Sequence, residues 1–158
     1  MHESHIDTTQ PKPVLYRQLL QELTGLIAGE RDLIANLANS AALLYHSLPD
    51  LNWAGFYLLK DGELVVGPFQ GKPACVRIAM GKGVCGTAAA QRTTQVVRDV
   101  HQFPGHIACD TASNSEIVVP MIRNGEVIGV LDLDSPKIAR FDEEDRKGLE
   151  AFVATLIN

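Results

Sequence analysis

The chain has 158 residues, 46% of them hydrophobic, which suffices for one domain with a sizeable core and is thin for two. Its formal net charge of -5 and singly dispersed Lys and Arg residues argue against a nucleic-acid partner, since phosphate binding calls for clustered cations. No apolar run reaches the roughly 20 residues of a membrane helix, so a membrane partner is not expected.

Residues 1–12 are polar, lack the basic-then-apolar pattern of a signal peptide, and are expected to form a flexible lead-in to a single domain over 13–158. A cytoplasmic, reducing location follows as an expectation, and there thiols in a cleft are more often catalytic or metal-binding than structural. From Pro13 to Ile27, Leu15, Leu19, Leu23 and Leu26 fall at helical spacing, and Gly29 ends the pattern. A second helix is predicted from Asp32 to Ser47, with Ile34, Leu37, Ala41, Leu44 and Leu48 on one face and Pro49 just beyond.

The period then changes. Asn52–Lys60 reads as a strand, and Asp61-Gly62 is a strong two-residue hairpin turn into Glu63–Phe69. A short strand at Val76–Ala79 precedes Gly81-Lys82-Gly83, which opens a small helix through Ala90, and Val96–Val100 reads as another strand. The loop from Asp99 to Asn114 is long for a compact domain, and such loops are usually functional or disordered. Ser115–Ile122 and Glu126–Asp134 form a second hairpin across Asn124-Gly125. A closing helix follows, with Asp142 placed to cap it, an acidic first turn suited to the helix dipole, and Leu149, Phe152, Val153 and Leu156 as its buried stripe. The expected fold is α+β: helices at both ends flank a mostly antiparallel sheet of five or six strands, leaving one sheet face free for a ligand.

The chain's three cysteines, Cys75, Cys85 and Cys109, lie among glycines, histidines and carboxylates, and an odd count cannot close into structural disulfides alone. Cys109 sits in the long loop between His106 and Asp110, a functional setting. Cys75, ahead of a strand, reads by itself as structural, and Cys85 at a helix start also fits a small buried hydrophobe. Three thiols allow three pairings, and residue spacing does not choose between them. His101 and His106 with Cys109 suggest a zinc site, but no C-x-x-C pair is present, and no metal or other cofactor is expected. Asp132 and Asp134, two apart on a strand, share a face, with Glu116 at the start of the partner strand. Buried without partners, such carboxylates cost about several kcal/mol, so the cluster calls for a use beyond capping the turn at Ser135-Pro136. Trp53 and Tyr57, four apart, also share a face, where core packing is the competing role.

Taken together, GKPACVRIAMGKGVCGTAAA, VVRDVHQFPGHIACDTASNSEIVVP and GVLDLDS with FDEEDR resemble the free methionine-(R)-sulfoxide reductases, small enzymes on the GAF fold. The resemblance runs from the first helix to the last and holds all three cysteines. It implies that Cys109 attacks the sulfoxide, that Cys75 is the main resolving thiol, and that Cys85 is an alternate or relay. It also implies an aromatic wall at Trp53 and Tyr57 against the substrate methyl group, thioredoxin as the reductant, and a homodimer. In that setting Glu116, Asp132 and Asp134 would bind the ammonium of a free amino acid and hold a raised-pKa acid near the sulfoxide oxygen. Backbone N–H groups of Gly83-Val84-Cys85 would take the carboxylate. The competing expectations are a non-catalytic GAF sensor of a small ligand and a thiol redox switch. A sensor is expected to continue into an output domain, whereas this chain closes just after its last helix.

Overall fold

The computed structural model describes residues 6–107, 109 and 111–158. Its elements are α1 (Lys12–Ile27), α2 (Leu33–Ser47), β1 (Trp53–Lys60), β2 (Glu63–Gly71), β3 (Arg77–Ala79), α3 (Gly83–Gln91), β4 (Gln95–Val97), β5 (Ser115–Arg123), β6 (Glu126–Ser135) and α4 (Glu143–Leu156). A short 3-10 turn, Val100–Gln102, follows β4. The strands form one six-stranded sheet in the order β3-β2-β1-β6-β5-β4, each neighbouring pair antiparallel.

The two hairpin turns sit where the sequence places them. Asp61-Gly62 and Asn124-Gly125 have φ of 52°, 83° and 54°, 78°, the left-handed pair that a two-residue turn requires and that Asp-Gly or Asn-Gly supplies at least cost. Between them the strands alternate by side. Ala54, Phe56, Leu58, Ile117, Val119, Met121, Leu131 and Leu133 face α1, α2 and α4 and form the larger core. Trp53, Tyr57, Val118 and Val130 face the other way and pack with Val84, Cys85, Ala88 and Ala89 of α3. Trp53, Tyr57, Cys85, Glu116, Asp132 and Asp134, candidate site residues by sequence, lie on this second side.

Capping fixes the helices. The Asp32 side chain accepts a 2.9 Å bond from the Ala35 N–H at the start of α2, and Asp142 closes a capping box with Asp145 on α4. Asp145 is 1% exposed, yet it accepts bonds from the Tyr16 hydroxyl and the Lys12 ammonium, both at 2.7 Å. Those bonds tie α1 to α4 and satisfy a charge that would otherwise be costly to bury. Lys12, counted with the lead-in by sequence, is thus the first residue of α1, and Ile6 packs against the core. Residues 1–5 lie outside the described residues.

Two expectations differ from the structure. Ile34 is 52% exposed, because the buried stripe of α2 is centred on Leu33, Leu37, Ser40 and Leu44 and leaves Ile34 on its flank. The strand predicted to reach Val100 stops at Val97: the Asp99 side chain accepts from the His101 N–H at 3.0 Å and turns the chain into the 3-10 segment.

Candidate active site

A cavity opens on the α3 side of the sheet, floored by side chains from β1, β5 and β6 and walled by α3 and the 99–114 loop. Strand register explains its floor. Asp134 stands between Trp53 on β1 and Glu116 on β5 in one rung of the sheet, and Asp132 lies two residues along on the same face. Opposite Asp132 stand Gly55 and Val118, so the carboxylate has a glycine on one side. Trp53 stacks on Tyr57 with ring centroids 5.9 Å apart and on Phe69 at 5.1 Å, giving an aromatic wall beside the acids.

Burial governs the electrostatics. Glu116 is 7% exposed and its pKa is raised well above the usual carboxylate value, first by desolvation and then by the charges of Asp132 and Asp134. Glu116 also hydrogen-bonds to Asp132, whose pKa burial raises and whose bonds from Glu116 and Cys85 oppose that rise. Burial and the neighbouring carboxylates thus favour the protonated form more strongly at Glu116 than at Asp132. The other Asp132 oxygen, Oδ1, is buried with no hydrogen-bond partner among the described residues. Such an orphan acceptor in an acidic pocket is suited to a cationic N–H donor. His106 Nε2 stands 4.0 Å from Glu116 Oε1; burial lowers the His106 pKa, with the charge of His101 acting in the same direction.

The three thiols occupy different environments. Cys75 and Cys109 are joined as a disulfide with Cα atoms 5.5 Å apart across 34 residues of chain. Cys109 is exposed at the cavity mouth and Cys75 is half-buried. Cys85 is a free thiol, 4% exposed, whose pKa desolvation and then Asp132 push well above the ordinary thiol value. It is held protonated and hydrogen-bonds to Asp132.

Cys75 rides on a strap, residues 72–76, between β2 and β3. Trp53 Nε1–H donates to the Lys72 carbonyl at 3.1 Å, the Tyr57 hydroxyl donates to the Cys75 carbonyl at 3.0 Å, and the Val66 N–H donates to the Val76 carbonyl at 2.9 Å. The aromatic wall and the anchor of the strap are therefore the same two residues. α3 enters close beneath: a Cβ on Gly86 would lie 2.4 Å from the Ala79 carbonyl oxygen, so only glycine allows the approach that seats Cys85. The first helical bond of α3 is Gly86 N–H to the Lys82 carbonyl, which leaves the N–H groups of Gly83, Val84 and Cys85 without helical acceptors at residues lining the cavity.

Trp53, Tyr57, Cys85, Cys109, Glu116, Asp132 and Asp134 all line this cavity, and the disulfide brings Cys75 to its rim. His101 is not part of it: its Nε2 pairs with Asn114 Oδ1 at 3.0 Å and steadies the loop base. The histidine-based zinc set is thus not assembled. Among the described residues Cys85, Glu116 and Asp132 place ligand-type atoms within 4.8 Å of one another. Asp110, read as part of the setting of Cys109, lies outside the described residues. Unforeseen from sequence is Ser113, buried in the cavity wall, whose Oγ accepts from Asn52 Nδ2 at 3.0 Å across 61 residues. Only the polar run in the loop hinted at it.

Residues 30–156 match the GAF domain family. The free methionine-R-sulfoxide reductase of Escherichia coli (strain K12) is 57% identical over 145 residues, covering 92% of this chain and 88% of that protein. The crystal structure of free methionine-R-sulfoxide reductase from Neisseria meningitidis in complex with its substrate superposes with a TM-score of 0.94 at 47% identity, covering 99% of this chain and 93% of that one. The reduced form of the Staphylococcus aureus enzyme superposes with a TM-score of 0.88 at 55% identity, covering 90% of this chain and 92% of that one.

Proposed function

The chain belongs to the GAF-domain family and, within it, to the free methionine-R-sulfoxide reductases, and on that premise we propose that it reduces free methionine-(R)-sulfoxide to methionine. The observation that carries this reading is the Cys75–Cys109 disulfide at the mouth of a cavity floored by Glu116, Asp132 and Asp134. The disulfide is what an enzyme of this kind holds after turnover.

In the reduced enzyme the Cys109 thiolate attacks the sulfoxide sulfur. Glu116 supplies a proton to the oxygen, which leaves the substrate and ends on Cys109 as a sulfenic acid while methionine departs. The Cys75 thiol then condenses with the sulfenic acid, releasing water and forming the disulfide. Thioredoxin returns two electrons to it. Cys85 has the alternate place: it is buried and protonated, so it resolves slowly and matters when Cys75 is missing.

Substrate polarity fits the pocket end to end. The ammonium is placed against Asp132 Oδ1 and Asp134, the carboxylate against the N–H groups that open α3, and the methyl group against Trp53 and Tyr57. A peptide bond would remove both charged ends, which accounts for a preference for the free amino acid. No helix among the described residues is long and apolar enough to cross a membrane, and a cytoplasmic setting with its thiol reductants suits the cycle. A homodimer through the outer faces of α1 and α2, where Ile34 is exposed, completes the proposal.

The test is to incubate the protein with dithiothreitol and each sulfoxide epimer separately. Consumption of the (R) epimer alone is expected; folded protein that consumes neither contradicts the reading and favours a ligand sensor.

A further inference from the structure

Four large hydrophobic side chains are exposed among the described residues: Ile34, Val76, Ile107 and Ile138. Two of them flank the disulfide. Val76, 59% exposed, directly follows Cys75, and Ile107, 38% exposed, lies two residues before Cys109. The sulfurs between them are unequal, since Cys109 is exposed while Cys75 is half-buried on a strap held by Tyr57 and Trp53.

We propose that Val76 and Ile107 form an apolar docking surface for a dithiol protein reductant, whose thiolate attacks the sulfur of Cys109. This rests on the reductase reading above. A protein thiolate that bonds to Cys109 must come within covalent distance of it, and the exposed Val76 and Ile107 lie one and two residues along the chain from half-cystines whose Cα atoms are 5.5 Å apart. Desolvating those two side chains favours the encounter, as apolar residues at the centre of an interface do. In the first step the reductant's thiolate forms a bond to Cys109 Sγ, the Cys75–Cys109 bond breaks, and Cys75 leaves as a thiolate that takes a proton. In the second, the reductant's other thiol attacks its own sulfur in the mixed disulfide and frees Cys109 as a thiol. Two electrons have passed from dithiol to disulfide.

The test follows turnover of free methionine-(R)-sulfoxide with thioredoxin and, separately, with dithiothreitol, which needs no docking surface. Val76→Asp should lose about tenfold in kcat/KM for thioredoxin and keep its dithiothreitol rate. Val76→Ser should lose less in the same direction, which guards against a disturbed β3 in the charged variant. Ile138→Asp, at a site 55% exposed and outside both the disulfide and the proposed dimer face, should change neither rate. Thioredoxin whose second active-site cysteine is replaced by serine, mixed with the oxidised protein, should be captured on Cys109 in peptide maps. Unchanged thioredoxin kinetics in Val76→Asp, or capture on Cys75, would overturn the docking surface. Wild-type protein inert with dithiothreitol would overturn the reductase reading beneath it.

Discussion

The strap at 72–76 and the loop at 99–114 each deliver one half of the same disulfide, but they are held in different ways. The strap is pinned through three carbonyls, those of Lys72, Cys75 and Val76, to Trp53, Tyr57 and Val66 of the central hairpin. Among the described residues the loop's long-range bonds lie at its far end, Asn52 Nδ2–H to Ser113 Oγ at 3.0 Å and Asn114 to the Ser135 and Pro136 carbonyls at 2.8 and 2.7 Å, while beside the cysteine the bond is local, Cys109 N–H to the Ile107 carbonyl at 3.2 Å. Strain or motion in a cycle of bond making and breaking is expected on the segment whose long-range bonds, among the described residues, lie farther along the chain from its cysteine. On the proposed cycle Cys75 serves as the post and Cys109 as the hook. The aromatic pair serves both halves, walling the pocket and fastening the post.

The largest expected effect breaks the loop side. Cys109→Ser should reduce turnover by about a thousandfold or more, because a hydroxyl is a poor nucleophile at sulfur; methionine release measured by chromatography checks it. Below both segments, Glu116→Gln should cost about a hundredfold, the usual scale for losing a general acid. The strap side is more forgiving. Cys75→Ser should lower steady-state turnover about tenfold, the remainder passing through Cys85 once the loop swings inward. A Cys75→Ser, Cys85→Ser double variant should retain only a single burst of methionine; steady turnover equal to that of the single variant would remove Cys85 from the scheme.

Smaller effects sharpen the difference between post and hook. Tyr57→Phe keeps the ring and deletes the bond to the Cys75 carbonyl, worth about 1 kcal/mol, so closure of the disulfide should slow several-fold. Trapping the sulfenic acid with dimedone at fixed times after substrate addition reports that slowing directly. The smallest effect is thermodynamic. A carboxyl whose folded pKa is raised by burial stabilises the fold fully below its unfolded value near 4.5, and that contribution is lost as pH rises through the folded value. Glu116→Gln should thus gain stability relative to wild type at pH 8 but not at pH 4, as the shift of the denaturation midpoint at the two pH values will report.

Much of this was legible along the chain because it depends on short periods. The two-residue turns at Asp61-Gly62 and Asn124-Gly125 set the hairpins, and period-two alternation put Asp132 and Asp134 on one face, which Glu116 joins through the strand register. Residue types in the 99–114 loop marked it as functional. The features that distinguish strap from loop were not legible, because they join distant positions: Tyr57 to Cys75 over 18 residues, and Asn52 to Ser113 over 61. The thiol pairing likewise had three solutions by spacing, and only the family resemblance favoured Cys75 with Cys109. Ile34 shows the opposite error: its position fitted a helical stripe, but Ser40 and Asn36 fill the buried side of α2, and polarity alone hid the true centre of the stripe.

One measurement reaches the central claim most directly. Fully reduced protein, freed of reductant, is mixed with excess free methionine-(R)-sulfoxide, and methionine and intact mass are read together. The account predicts one methionine per chain, loss of two hydrogens, and a single cross-linked peptide joining Cys75 to Cys109. Methionine release with both of those thiols still open to alkylation, or no release at all from folded protein, would contradict it.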